Sequence, residues 1–202
     1  LPWKKENTKT AIKNSISLIN QFLKYNFCKI HIDTSIKCRD DKYINSEIIF
    51  NRTNKILNDF NIKKKIKNKF LVIGTEVPLS GSGDNNKIVK TSKKQIVSEV
   101  TKFKEILKKL NLKSNLFGLV IEPGMKYKHF SITKPKFPDF IKKKIISKKK
   151  NFVYEAHSTD YQKKSTLKQL VKNNFKFLKV GPELTFNYSR ALFMMESIEK
   201  KF

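Results

Sequence analysis

The chain is short of several things, and each shortage excludes a class. It has two cysteines, Cys28 and Cys38, and their positions give no zinc-like spacing with the three histidines. A disulfide framework is therefore excluded, and the two read as reduced intracellular thiols. No apolar run is long enough to span a bilayer, and no secretory signal opens the chain, so a soluble cytoplasmic protein with no membrane partner is expected. Acidic residues are scarce, with 17 Asp+Glu against 44 Lys+Arg and a net charge of +27. Arginine is scarcer still, with three of the 44, and there is no RNP motif, zinc finger or Arg-rich stripe. A specific nucleic-acid partner is therefore not expected.

The basic excess is almost all lysine, as in Lys63-Lys64-Lys65 and Lys148-Lys149-Lys150, and it comes with many Asn and Ile and only three alanines. That combination reads as AT-rich coding spread over helix faces and loops. Charge of this kind governs solubility and non-specific binding, not fold.

With 39% hydrophobic residues in 202, the chain can bury one core, as one domain or part of one. Its most informative stretch is Phe152-Val-Tyr-Glu-Ala-His-Ser-Thr-Asp-Tyr-Gln162. It begins as a strand, and period two puts Val153, Glu155 and His157 on one face. Ser158, Thr159 and Asp160 then suit a turn and a cap on the next helix.

Four more strands follow the same plan. Residues 27–33 carry His31 and Asp33 on one face. Residues 70–76 end at Glu76, and residues 116–122 end at Glu122 before Pro123-Gly124. Residues 175–181 carry Phe177, Lys179 and Gly181 on one face. Between them, stripes of apolar residues predict helices over 8–24, 44–60, 92–110, 137–148 and 164–174, with a last one over about 183–200. Thr8 or Asn7 would cap the first, and Ser92 with Gln95 has capping-box spacing. In the last helix Phe186, Leu192, Met195 and Ile198 read as core. Lysine-rich residues 61–69 read as a link, and Ser80-Gly81-Ser82-Gly83 as a loop with free backbone donors that lacks the Lys-Ser/Thr of a P-loop.

Five strand–helix repeats with short apolar strands predict parallel pairing in sequence order. Every strand ends in an ionisable group, the place where a (β/α) barrel builds its site. The fold class expected is α/β, a partial TIM (β/α)8 barrel of about five βα units. Burying so many ionisable groups is costly unless they pair or bind a ligand, so a shared polar cavity is expected.

Lys29-Ile-His-Ile-Asp-Thr-Ser35, Ile73-Gly-Thr-Glu-Val-Pro78, Glu122-Pro-Gly124, the run 153–162 and Leu178-Lys-Val-Gly-Pro182 with Leu184-Thr-Phe186 together resemble one family. It is the non-catalytic, Z-type subunit family of class II D-tagatose-1,6-bisphosphate aldolase. The resemblance implies a TIM-type barrel used in galactitol and N-acetylgalactosamine catabolism, and a catalytic class II aldolase subunit as partner. Some relatives are assigned as epimerases of tagatose 6-phosphate. Against that family, residues 1–202 look like a single incomplete barrel domain. The N-terminal units, with a Gly-Gly-Asp-His-Leu-Gly-Pro motif, and a C-terminal helical region are missing.

Two readings follow. In one, the chain is an accessory subunit that supports the catalytic one. In the other, it is a metal-assisted epimerase or aldolase-like enzyme. For the second, Glu122 and His157 would hold a divalent metal such as zinc. Asp33, Glu76 or Glu155 would act as base. His31, Lys179 and the loop Ser80, Gly81, Ser82 and Gly83 would hold the sugar phosphate. A Schiff base at Lys179 is a third route.

If the charge is compositional, duplex DNA should bind weakly, and binding should fall steeply as salt rises. A filter-binding titration at two salt concentrations checks this, and tight sequence-selective binding would contradict it.

Overall fold

The computed structural model describes residues 3–25, 27–74, 90–112, 117–128, 131–137, 141 and 152–201. Their centre is a five-stranded parallel sheet made of β1 (Lys29–Ile32), β2 (Phe70–Ile73), β3 (Phe117–Val120), β6 (Phe152–Ala156) and β7 (Phe175–Leu178), paired in that order. Two short strands, β4 (Lys126–Lys128) and β5 (Ser131–Thr133), form a separate antiparallel hairpin. That hairpin has no counterpart in the sequence reading, because three-residue strands carry too few positions for period two to show.

The helices are α1 (Thr8–Phe22), α2 (Ser46–Leu57), α3 (Phe60–Lys65), α4 (Lys93–Lys109), α5 (Lys164–Lys172) and α6 (Pro182–Glu199). Polar side chains set their starts. Asn7, Asn45, Asp59 and Ser92 each accept a hydrogen bond from the backbone N–H three residues on, satisfying a donor that the helix leaves open. Asn111 and Asn174, just past α4 and α5, take left-handed φ values of 56° and 71°, the conformation that ends many helices. Helix α3 begins at Phe60, the last residue of the helix expected over 44–60, and runs into the lysine-rich link expected over 61–69. The Asp59 cap and the wholly buried Ile62 and Ile66 explain why that stretch is ordered. The helix predicted over 137–148 lies almost wholly outside the described residues.

Strand alternation separates two environments. Ile30, Ile32, Leu71, Ile73, Phe117, Leu119, Phe152, Tyr154 and Phe175 join the helices in one apolar core, with Trp3, Ile56, Phe103 and Leu170. The alternate positions face the inside of a curl. Phe70 of β2 meets Phe177 of β7 with ring centroids 4.7 Å apart, and Lys29 of β1 lies 4.3 Å from the centre of the same Phe177 ring. In a flat sheet, with strands about 4.8 Å apart, β1 and β7 would be about 19 Å from each other. Only strong curvature brings these side chains together, so the sheet is a segment of a barrel wall.

The curl needs glycine on its inner face. A Cβ on Gly74 would lie 2.8 Å from Val120 Cβ, and one on Gly118 would lie 3.0 Å from Val72 Cγ2.

Helix α6 departs from the expectation of a buried stripe. None of its residues is buried, and Leu184, Phe186, Leu192, Phe193, Met195 and Ile198 are all exposed. The apolar pattern is present, but no described element lies over it. In α5, Leu170 is buried, while Val171 is exposed.

Gly74→Ala should cost about 1–3 kcal/mol of stability, the usual range for overpacking. Adding Val120→Ala should recover little of that loss in a denaturant melt, since alanine keeps the Cβ that the new methyl would strike.

Candidate functional site

The curl brings one buried carboxylate against three nitrogen donors. Glu155, the fourth residue of β6, has no solvent exposure. Its Oε2 accepts a hydrogen bond from Lys29 Nζ at 2.5 Å. Its Oε1 lies 3.1 Å from His157 Nε2 and 3.3 Å from His31 Nδ1. The two imidazole rings are 5.8 Å apart. Lys29 and His31 come from β1, and Glu155 on β6 and His157 just after it from the far side of the curl.

Burial alone would raise the pKa of Glu155. Hydrogen bonds from His157, His31 and Lys29, with the positive charge around them, outweigh it and hold the carboxyl far below the usual carboxylate range. The group is a permanent anion at any ordinary pH.

Lys29 is the member of this cluster that sequence reasoning missed. The signal was available, since period two through His31 and Asp33 puts Lys29 on the same face. The ammonium expected at the site was that of Lys179. The structure leaves Lys179 exposed, where its backbone C=O accepts from Thr159 N and Oγ1, and Lys29 is the ammonium beside Glu155.

Asp33 lies on the Lys29 and His31 face but turns its carboxylate back on Ser35, accepting from both N and Oγ. Lys29, His31 and Asp33 also line a cavity of about 260 Å³ beside the edge strand β1, together with Trp3, Ile19 and Phe22. Glu122 is half-buried beyond β3, where its backbone exchanges hydrogen bonds with Thr91. Glu76 and residues 80–83 lie outside the described residues.

The polar loop after β6 is locked to the next unit. Ser158 and Tyr161 take φ values of 55° and 58°. Asp160 was expected to cap the helix that follows it. Its buried carboxylate instead accepts from Gly181 N and Glu183 N at the start of α6, while Glu183 accepts from Tyr161 N. The N-terminus of α6, a natural seat for a phosphate, already holds an internal anion.

His31, Glu155 and His157 offer three ligand atoms within 4.8 Å of one another. Two imidazoles and a carboxylate suit a zinc-like divalent ion. The sequence-derived pair for a metal was Glu122 and His157; among the described residues the cluster is built on His157 with His31 and Glu155. No described helix is long and apolar enough to cross a membrane.

A family model described as D-tagatose-1,6-bisphosphate aldolase subunit GatZ/KbaZ-like matches residues 1–202. The chain is 30% identical over 209 residues to a D-tagatose-1,6-bisphosphate aldolase subunit GatZ of Escherichia coli O1:K1, covering 98% of this chain and 50% of that one. It is 30% identical over 210 residues to the subunit of the same name in Klebsiella pneumoniae, covering 98% and 49%. The chain thus spans about half the length of these curated relatives. In three dimensions it is similar to the crystal structure of a probable tagatose 6 phosphate kinase from Sinorhizobium meliloti 1021. The TM-score is 0.70 at 22% identity, over 92% of this chain and 46% of that one. This likeness bears on the fold, and it agrees with a partial TIM-type barrel.

The Glu155 carboxyl supplies a pH signature. Its folded pKa is held below the ordinary glutamate value of 4.5. Its contribution to stability is therefore fully present above that pH and is lost as pH falls below it. The folded value is far lower, so the loss should continue through the acid range at about 1.4 kcal/mol per pH unit. Comparing acid unfolding of the wild type with Glu155→Gln checks this, and the variant should show the shallower pH dependence.

Proposed function

The chain belongs to the D-tagatose-1,6-bisphosphate aldolase subunit GatZ/KbaZ-like family, and from that premise we propose that it acts as an accessory subunit of a tagatose-bisphosphate aldolase. It supports the activity and stability of a separate catalytic class II subunit in galactitol or N-acetylgalactosamine catabolism, in the cytoplasm. The observation that carries this reading is the match to a subunit family along all 202 residues. The exposed apolar residues of α6 add to it, because contiguous apolar surface of this kind marks contact with other protein.

A second reading is favoured by the cluster of His31, Glu155 and His157. In that reading the protein is a metal-assisted enzyme of sugar phosphates, an epimerase or aldolase-like catalyst acting on tagatose 6-phosphate or a close relative. A bound divalent ion would polarise the sugar carbonyl and acidify the neighbouring C–H. His31, Glu155 and His157 would hold it. The depressed basicity of Glu155 suits a ligand better than a base, which leaves the proton to Asp33 or Glu76. Lys179 and residues 80–83 are the candidates for the phosphate, given that Asp160 fills the start of α6.

The two readings separate in one experiment. The chain is mixed with a catalytic class II tagatose-bisphosphate aldolase subunit, and aldolase activity and the thermal midpoint of that subunit are measured. A rise in either supports the accessory role, and no change in both overturns it. In parallel the chain alone is incubated with tagatose 6-phosphate and Zn2+. Conversion that disappears in His157→Ala supports the enzyme reading.

A further inference from the structure

We infer that Lys29 is a positioning residue for a divalent ion: it ties up one oxygen of Glu155 and cancels its charge, leaving a one-oxygen ligand between two imidazoles. The inference rests on the metal reading of the same cluster and says what this chain's own lysine does there.

The geometry divides the carboxylate in two. Oε2 is taken by Lys29 at 2.5 Å, while Oε1 faces His157 and His31 at 3.1 and 3.3 Å. Ligand bonds of 2.0–2.2 Å put the donors of a tetrahedral zinc-like ion roughly 3.4 Å apart. The two nitrogens already stand at close to that distance from Oε1, and all three atoms lie within 4.8 Å of one another, so an ion can replace the protons between them as the two imidazoles adjust to it.

Oε2 has no such freedom. The ammonium of Lys29 lies over the Phe177 ring, 4.3 Å from its centre. That contact keeps the charge beside Oε2 although the lysine side chain is 35% exposed. With the ammonium in place, Glu155 cannot close on an ion with both oxygens.

Charge follows from the same pairing. One carboxylate and one ammonium cancel, so the two positive charges of an ion would remain for an anionic ligand in the lumen. The cost is repulsion between ion and ammonium, which lowers affinity for the ion. A lysine that merely held the fold would have the opposite effect when removed, since losing it would loosen the donors.

The sign of the change is therefore the test. Co2+ is titrated into the 202-residue chain and its visible absorption is followed. Folding of each variant is checked by circular dichroism. Wild type should give an intense, tetrahedral-type band, which His157→Ala should abolish. Lys29→Met should bind Co2+ about tenfold tighter, with a weaker band typical of higher coordination as Oε2 joins. Lys29→Arg, which keeps the charge, should stay near the wild-type affinity.

Equal or weaker affinity in Lys29→Met with an unchanged band overturns the role of Lys29 but leaves the metal reading standing. No Co2+ band in wild type, or one that survives His157→Ala, overturns the metal reading itself and the inference with it. Should Lys29→Met fail to fold, Lys29→Gln serves, since it drops the charge and keeps a donor. It should bind several-fold tighter with the wild-type band, and unchanged or weaker binding overturns the inference.

Discussion

The burial of Glu155 is the constraint on which the rest of the inner face depends. A carboxylate with no solvent exposure is tolerable only with partners that replace its water. The residue just past its own strand supplies one of them, His157. The other two, Lys29 and His31, come from β1, three places away in the sheet. Meeting that demand requires curvature, and the curvature then dictates much else. It brings Phe177 under Lys29, sets Phe70 against Phe177, and leaves no room for a Cβ at Gly74 and little at Gly118.

The outer face obeys a different rule. There the strands alternate Ile, Leu, Phe and Tyr against helix stripes, and the apolar core runs without a break from Trp3 to Phe175. The connection after β1 is secured electrostatically. Arg52, buried on α2, donates to both oxygens of Asp41, to Thr8 and to the Ile36 carbonyl. One guanidinium thus joins α1, α2 and the segment that leaves the site strand. The fork geometry of arginine makes such a junction possible, which a lysine could not reproduce. In a chain with only three arginines, its position here is a structural choice that composition would have hidden.

What the sequence made legible is what depends on period. The five strands, their parallel order and the split into two faces all follow from alternation and apolar stripes, because these are properties of consecutive residues. His31, Glu155 and His157 could each be placed on the inner face for the same reason. Which of them would meet could not be read, since that depends on how tightly the sheet curls. Lys179 was the natural choice of ammonium, being a strand-end lysine on the same face as Phe177. Lys29 comes from the opposite edge and reaches Glu155 only through curvature. Asp160 shows the same limit. Its local sequence fits the cap of the next helix, yet its carboxylate serves α6, one whole unit later. Helix α6 is the converse case: residues read as core from their spacing are exposed, with no described neighbour to bury them.

The distribution of the donors bears on how such a site persists in a chain that spans about half of its curated relatives. Lys29, His31, Glu155 and His157 belong to β1 and to the end of β6, and both strands are held by ladders within this one sheet. The register from β1 through β2 and β3 to β6 is continuous, so the relative height of the two donor pairs is set by backbone hydrogen bonds along the way. The one irregularity falls at Tyr154 and Glu155, in the pairing of β6 with β7. It lies on the side of β6 away from β1, and it leaves the path between the two donor pairs undisturbed. The centre is therefore fixed by local strand register and by a curl that its own ion pair reinforces. The net charge of +27 plays no part in it, because what matters at Glu155 is three nitrogens within 3.3 Å rather than the lysines spread over the helices outside.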